Sequence, residues 1–567
     1  MLMYEKYTGR HRDDFGSYED IAQNYKISYP ENFNFAYDVL DELAKTQPNN
    51  LCMLWISNEG EERRISFADM ARWSDKTANY FKSLGIKKGD FVMLVLKRSY
   101  LFWYCMMALH KIGAVAVQAA HLLTKDDYIY RCNAGGIKMA VITGDNNCTE
   151  AFDAGESEYE TVELKAVTKH KKAGEGWLDF EAGIEAASEL WVRPTGDEAT
   201  VATDMLIMSF SSGTTGYPKM VSHDHTYPLG HIGTGVFWHR VEKGGLHFTI
   251  SDTGWLKSLW GKMYGQWLGE CAVLTYDFEK FNAADILKVM ERTRVTSFCA
   301  PPTMYRLIMS ENVSSYDLSS LKHCTAAGEA LSQDLFARWR EFTGLEIYEG
   351  FGQTETTLCC AVLYPFSEPQ PGAMGLSVPG YNLIIADADG NAVPAGVTGE
   401  ICLVAKSLSE RPVGLYMGYH KNEEATRNSW HDGLFHTGDT AYRDERGYLW
   451  YVGRNDDIIK SSGYRIGPFE VESVLVKHPA VFESAVTGVP DPVRGFSVKA
   501  TIVLKKGYTP SDELKKELQD FVKKTTAPYK YPRVIEFADE LPKTINGKIR
   551  RVAIREKDMG KEHKAID

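Results

Sequence analysis

The chain has 567 residues, more than one hydrophobic core usually supports, so two or more domains are expected. Hydrophobic residues at 44% and charged residues at 25% are ordinary for a soluble globular protein. The net charge of −12 argues against nucleic acid as the main partner. Met1 to Asp14 is charged and lacks an apolar core region, so no secretory signal is expected. The longest apolar runs, at 91–96 and 112–117, are too short to span a bilayer, so no integral membrane segment is expected either. Ten cysteines lie scattered, with Cys359 and Cys360 adjacent, a usage that favours reduced thiols and a cytoplasmic location over a disulfide framework or a zinc site.

Short apolar runs at 90–96, 114–117, 139–142, 205–210 and 271–274 read as buried strands, with helical periodicity between and beyond them, as at 283–293. That alternation predicts an α/β fold with largely parallel sheets in layers. Gly/Pro-rich turns between Pro369 and Gly399, followed by a strand-like run at 400–404, predict a smaller β-rich subdomain. A strand at 447–453 leads into Arg454, Asn455, Asp456 and Asp457. Beyond it Leu514, Leu518, Phe521 and Val522 form a helical apolar stripe, read as core packing. The polar stretch at 455–457 is the expected boundary, dividing a large domain at 1–455 from a small α+β domain at 456–567.

The strand at 205–210 runs into Ser211, Ser212, Gly213, Thr214, Thr215, Gly216, Tyr217, Pro218 and Lys219. Glycines let backbone N–H groups approach an anion, the hydroxyls donate, and Lys219 supplies charge, which together suit a polyphosphate. The motif is not a Walker A loop, because Tyr217 and Pro218 separate the second glycine from the lysine and Met220 follows it. Four further groups matter beside it. Glu349, Gly350, Phe351, Gly352, Gln353, Thr354 and Glu355 combine an aromatic able to stack on a nucleobase with a carboxylate able to hold Mg²⁺. His436-Thr437-Gly438-Asp439 offers a carboxylate to two ribose hydroxyls. Arg454 and Arg465 offer planar donors, and Lys548 sits in a glycine-containing stretch near the C-terminus.

Over nearly its whole length, with five motifs in family order, the chain resembles the ANL superfamily of adenylate-forming enzymes. The resemblance implies that 211–219 grips the β- and γ-phosphates of ATP. It sets Gly328, Glu329 and Ala330 with Glu349 to Thr354 around adenine and ribose, and makes Glu355 the Mg²⁺-associated glutamate. It makes Asp439 the ribose-hydroxyl ligand and Arg454 a ribose or phosphate contact. It implies that Lys548 bridges the substrate carboxylate and the α-phosphate, and that Asp456 is the hinge about which a mobile C-terminal domain turns. Within the superfamily the chain looks most like the medium-chain acyl-CoA synthetases. Ser462, Gly463 and Tyr464 then lie near CoA and Arg465 near the nucleotide. Arg494, Tyr531, Pro532 and Arg533 match CoA-contacting positions, where cations suit the phosphates of CoA. One departure shows: a glutamine that contacts CoA in some relatives aligns with Leu122, leaving that contact open.

Acetyl-CoA synthetases carry a tryptophan immediately before the Gln-Thr-Glu triplet, and here that position is Gly352. Loss of an indole frees room for several methylenes, each contributing about 0.8 kcal/mol when buried. An acid longer than acetate is therefore expected, medium-chain or branched, lined by Trp255, Leu256, Ala327 and Gly352, unless a bulky group such as Trp260 refills the space. The reading is thus an AMP-forming acid–CoA ligase using ATP, Mg²⁺ and CoA, with a homodimer allowed. An acetyl-, propionyl- or aryl-CoA synthetase and a non-catalytic nucleotide-binding relative are the alternatives. The last of these should have lost Lys548, Glu355 or Asp439, and all three are present.

Overall fold

The computed structural model describes residues 1–169, 174–211, 218–329, 331–462, 464–543 and 549–559, and Arg465 by its backbone alone. Ser212 to Tyr217, Ala330, Gly463 and Lys548, all expected at the site, lie outside the described residues, as does the side chain of Arg465. The chain forms two compact units, one from residues 1–211, 219–382 and 405–430, the other in the main from 383–404 and 431 onward.

The first unit is layered α/β, as the alternation predicts. One sheet runs in the order Gly418–Tyr419, Met220–Asp224, Met205–Phe210, Val115–Gln118, Phe91–Val95, Ile137–Thr143, Leu164–Thr168, Leu178–Asp179. Its strands from Met205–Phe210 onward are parallel, with Ile207 beside Ala116 and Met93 beside Val117. Buried on both faces, they read as continuous apolar runs rather than alternations. The second sheet aligns Ile347–Gly352, His323–Ala327, Ser297–Ala300, Leu246–Thr249, Ala272–Asp277 and Leu51–Ser57 in parallel. The helix Ala283–Thr293 packs Ile286, Leu287 and Met290 into the core with Phe248, Leu274 and Phe298. Asn282 caps its first turn by accepting from Asp285 N, and Arg294 ends it at φ 57°.

The second unit carries the antiparallel strands Leu383–Ala386, Gly399–Val404, Leu434–Arg443 and Leu449–Arg454. A further sheet of Tyr464–Ile466, Ile459–Ser461, Gly495–Leu504 and Val481–Asp491 is extended by Val534–Phe537. Helix Asp512–Thr525 buries Leu514, Leu518 and Val522 in that sheet's core, so the apolar stripe is packing, as expected. The ten cysteines are all buried and free. No helix of the described residues is long and apolar enough to cross a membrane.

One close approach shapes the first unit. The helical run Tyr227–Ile232 and Gly233–Trp238 lies against helix Tyr264–Leu268 through two glycines. A Cβ on Gly235 would stand 2.3 Å from Gly265 C, and one on Gly265 would stand 2.4 Å from His231 O. Backbone cannot yield as a flexible side chain can, so added atoms must push the helices apart. Gly265→Ala should cost about 1–3 kcal/mol or more, the range for overpacked cores. Denaturant unfolding checks this; an unchanged midpoint would mean that the helices separate freely.

Candidate active site

In the first unit, the loop ends lie at the carboxyl edge of the strand Met205–Phe210, where open α/β sheets hold ligands. Ser211 N donates to Lys219 O at 2.8 Å, and Lys219 N donates to Ser211 Oγ at 3.2 Å, closing the two ends on one another. Lys219 Nζ lies 4.7 Å from the centroid of the Tyr419 ring, a cation–π contact. The Tyr419 hydroxyl donates to Glu355 Oε1 at 2.8 Å. One tyrosine therefore gathers the loop's lysine and the carboxylate of the Gln-Thr-Glu triplet. Sequence reasoning missed Tyr419, whose two-residue strand Gly418–Tyr419 pairs with Val221 and Ser222 and carries no local motif.

The triplet itself is braced from below. His223 Nε2 donates to Thr354 O at 2.8 Å, and burial pushes the His223 pKa down to about 3, so the ring is a neutral donor. Gln353 N donates to Thr356 Oγ1 at 2.9 Å. Glu349 is buried, and its two oxygens accept from Leu331 N at 2.9 Å and Gly372 N at 2.8 Å. It therefore shapes its surroundings through backbone. Phe351 and Gly350 continue the same strand, where a Cβ on Gly350 would stand 2.8 Å from the Trp238 ring. Gly328 takes φ +104°, and exposed Glu329 accepts from Thr303 Oγ1 at 2.7 Å. The expected acyl-pocket residues Leu256 and Ala327 are buried and Trp255 is half-buried, with Lys257 Nζ donating to Ala327 O at 2.8 Å. The wall at Gly352 is rebuilt from elsewhere. A Cβ there would stand 2.5 Å from Trp260 Cη2, and the Trp260 indole N–H donates to Tyr227 Oη at 3.1 Å. The space beside position 352 is thus occupied by an indole from another segment.

In the second unit, Asp439 and Arg454 are cross-strand partners. Asp439 is 4% exposed, accepts from Tyr451 Oη at 3.0 Å, and lies 3.5 Å from Arg454 NH1. Burial works against the Arg454 charge, but Asp439 and Asp456 outweigh it and hold the pKa above its usual value. Gly438 has φ +71°, and a Cβ there would stand 3.0 Å from Arg454 NH2, so the glycine leaves room for the guanidinium. Glu400, unremarked in the sequence, fixes this turn. Its Oε1 accepts from Gly438 N at 2.8 Å and its Oε2 lies 3.2 Å from His436 Nδ1. Arg454 Nε donates to Asp456 at 3.4 Å. The neighbouring Asp457 pairs with Arg555 at 2.5 Å and Arg551 at 3.7 Å, and Arg551 also grips Glu472 at 2.7 Å. Helix Arg551–Asp558 is thereby clamped beside the expected hinge.

The expected CoA residues form two groups in the same unit. Ser462 N donates to Arg494 O at 3.0 Å, and Arg494 NH1 donates to Ser462 Oγ at 3.2 Å. Tyr464 stacks on Tyr529 with centroids 4.1 Å apart, a partner that sequence reasoning did not name. Tyr531 carries Lys523 and Arg533 within 4.2 and 4.4 Å of its ring, and Pro532 is buried between them in sequence.

Glu349 has a measurable signature. Burial raises its pKa from 4.5 to about 8, against the two backbone donors that favour its charge. A folded-state pKa above the unfolded value means that the folded chain binds more protons between these limits. This residue's contribution to stability is therefore fully present below about 4.5 and declines as pH rises through about 8. Glu349→Gln removes the titration, so wild type should lose stability relative to the variant as pH is raised from 5 to 8, roughly a pH range read from these limits. Urea midpoints across that range check it, and a constant difference would count against the shift.

Most of the chain matches known families. Residues 40–411 match the model for "AMP-binding enzyme" and residues 470–548 that for the "AMP-binding enzyme C-terminal domain". The mitochondrial acyl-coenzyme A synthetase ACSM3 of Mus musculus is 40% identical, covering 98% of this chain and 96% of its own. The ACSM4 enzyme of Rattus norvegicus is 39% identical over 94% and 92%. The crystal structure of the anthranilate CoA ligase AuaEII with anthranoyl-AMP aligns at TM-score 0.85 and 29% identity, covering 94% of this chain and 98% of that one. A benzoate CoA ligase from Burkholderia xenovorans aligns at TM-score 0.80 and 27% identity, over 92% and 100%. Those curated relatives are named as mitochondrial, which overturns the cytoplasmic location expected from cysteine usage. Thiols stay reduced in more than one compartment, so their state does not fix the address. The chain belongs to the AMP-binding enzyme family of adenylate-forming enzymes.

Proposed function

We propose that this chain is an AMP-forming acyl-CoA synthetase, converting ATP, a carboxylic acid and CoA to acyl-CoA, AMP and diphosphate through an acyl-adenylate. The acid is medium-chain or branched. The observation that carries the reading is the Lys219–Tyr419–Glu355 arrangement, a cation and a carboxylate held around one ring at the end of a phosphate-type loop. Support comes from relatives named acyl-coenzyme A synthetases along nearly the whole chain, and from a structural neighbour holding an acyl-adenylate.

The chemistry follows from charge. A carboxylate oxygen attacks the α-phosphorus, and diphosphate leaves with its bonding electrons. Both reactants are anions, so Lys548 at the α-phosphate and the loop at 211–219 stabilise the charge that gathers. Glu355, whose carboxylate Tyr419 fixes through one oxygen, would hold Mg²⁺. Bound there, Mg²⁺ would supply charge neutralisation of the triphosphate. Asp439 holds the ribose hydroxyls, with its carboxylate fixed by Tyr451 and Arg454. Residues 456–567 then turn about Asp456, withdrawing Lys548 and bringing Ser462, Tyr464, Arg494 and Arg533 to CoA. The thiol attacks the acyl carbonyl, and AMP departs.

An aryl acid is the second reading, favoured by the anthranilate and benzoate ligases among the structural neighbours. Trp260 beside Gly352 offers a flat surface to either acid. A panel of acetate, butyrate, hexanoate, octanoate, 2-methylbutyrate and benzoate, read by AMP release with and without CoA, should rank four carbons or more well above acetate. Equal turnover of acetate would defeat the chain-length reading. Lys548→Ala should abolish adenylate formation while sparing thioester formation from supplied acyl-adenylate; equal loss of both would remove the assigned role. Tyr419→Phe should lower the adenylation rate by ten- to a hundredfold, about 1.4–2.8 kcal/mol of transition-state stabilisation. That variant keeps the ring beneath Lys219 and removes only the donor to Glu355.

A further inference from the structure

A buried polar cluster outside the residues discussed so far lies in the first unit. The strand Val115–Gln118 ends, and three residues later His121 points Nδ1 at Asp252 Oδ2, 3.3 Å away. The Asp252 side chain is 11% exposed, its Oδ1 accepts from Gly254 N at 2.9 Å, and Arg98 NH2 stands 3.7 Å from Oδ2. Arg98 is itself tied down, donating to Phe278 O at 2.9 Å. Burial alone would raise the Asp252 pKa, but the nearby His121 and the charge of Arg98 outweigh it, holding the group at about 2 and ionised. His121 Nδ1 is shut from solvent, whereas the side chain as a whole keeps 14% of its surface. The ring thus stands with Nδ1 buried 3.3 Å from a carboxylate oxygen and with part of its remaining surface open. A carboxylate close to one ring nitrogen, with the ring partly open, is an arrangement suited to a general base.

The position of the pair matters as much as its geometry. Asp252 opens the turn that leads through Gly254 to Trp255 and Leu256, the segment expected at the acyl group. A Cβ on Gly254 would stand 2.4 Å from Ala120 Cα, so this turn and the residues before His121 are in direct backbone contact. On the other side Leu122 is 53% exposed, at the position aligned with a CoA contact. The other charged or titratable groups around the pair are spoken for. Lys262 donates to Ser251 O at 2.7 Å and burial lowers its pKa to about 7. Cys148 Sγ donates to His121 O at 3.1 Å, and Asp277 faces Lys97 at 3.7 Å and Lys169 at 3.8 Å.

We infer that His121, oriented by Asp252, takes the proton from the CoA thiol in the thioester-forming step, an inference that rests on the acyl-CoA synthetase reading. The S–H proton passes to Nε2, and the sulfur forms a bond to the acyl carbonyl carbon. The bond from that carbon to the phosphate oxygen breaks, and its electrons leave with AMP. The imidazolium is stabilised by Asp252 and returns its proton to solvent. An ion pair kept only for stability would need neither a partly open ring nor a place beside the segment expected at the acyl group.

The test separates the two half-reactions. Adenylate formation is followed with ATP and acid, and thioester formation in a single turnover from supplied acyl-adenylate and CoA, across a pH series. His121→Gln should lower the thioester step at neutral pH by about 10²–10⁴-fold, the usual worth of a general base. The deficit should shrink as pH rises and the thiol ionises unaided, while adenylate formation keeps the wild-type rate within about threefold, less than the tenfold of 1.4 kcal/mol. Asp252→Asn should lower the same step, and free imidazole should restore part of it to His121→Ala. Equal loss in both steps, an unchanged pH profile, or no rescue by imidazole would overturn the role of His121. A wild-type chain that forms acyl-adenylate and thioester, with His121→Gln unaltered, overturns this inference alone. A wild-type chain forming no adenylate overturns the synthetase reading and this inference with it.

Discussion

The hydrogen bond from Tyr419 to Glu355 settles where charge can gather in the first unit. Its ring lies under Lys219 and its hydroxyl on the carboxylate, so a cation and an anion far apart in the chain share one rigid support. Neither partner is deeply buried, so the arrangement avoids the desolvation that makes interior ion pairs costly. An aromatic holds both groups with two side-chain torsions to fix, where a long flexible residue would surrender more entropy. The strand that carries Tyr419 is only two residues long, and it is pinned by pairing with Val221 and Ser222. The placing of Lys219 beside Glu355 thus depends on tertiary pairing rather than on local sequence.

The second unit uses a different device. Arg551 meets Glu472 through two nitrogens and Asp457 through a third, while Arg555 joins the same aspartate. Burial penalises the Arg551 charge, yet the surrounding carboxylates raise its pKa above the usual value, so the pair is charged at any working pH. Such a cluster is worth little as a source of stability compared with a packed apolar substitute. Its worth lies in direction, since planar guanidinium forks fix angles that apolar contacts leave free. Helix Arg551–Asp558 begins three residues after Lys548, and Asp457 follows the hinge residue. The clamp therefore ties helix Arg551–Asp558 to the stretch at Asp457, beside the proposed hinge.

What the sequence made legible was chemistry carried by contiguous residues. The strand before Ser211 and the helix at 283–293 follow from local apolar pattern. The Ser211–Lys219 loop, the Gln-Thr-Glu triplet and the turn before Asp439 announce themselves because glycines and donors lie side by side. Tyr419, Glu400, Tyr529 and Asp252 were not legible, because each acts on a partner far away in sequence and sits in an unremarkable local context. Glu349 shows the converse. It lies within a recognised motif, but both its oxygens are taken by the backbone of Leu331 and Gly372, so its motif membership reflects support. Cysteine usage was legible as redox state and overextended as an address.

Gly352 carries the same lesson into specificity. Read along the chain, a glycine in place of a wall residue means space. In three dimensions that space belongs to whichever side chain reaches it, and Trp260 reaches it from a helix some ninety residues earlier, as the numbering shows. Close packing leaves few voids larger than a water molecule, so a deleted indole must be replaced by protein or by ligand. Here protein takes the part nearest the Gly352 backbone, and the anchoring of the indole N–H on Tyr227 fixes how far it extends. The space beside Gly352 is therefore bounded by the position and tilt of Trp260 rather than by the absence of another tryptophan. The room there is then set by residues that hold that ring, Tyr227 among them, and not by position 352 alone.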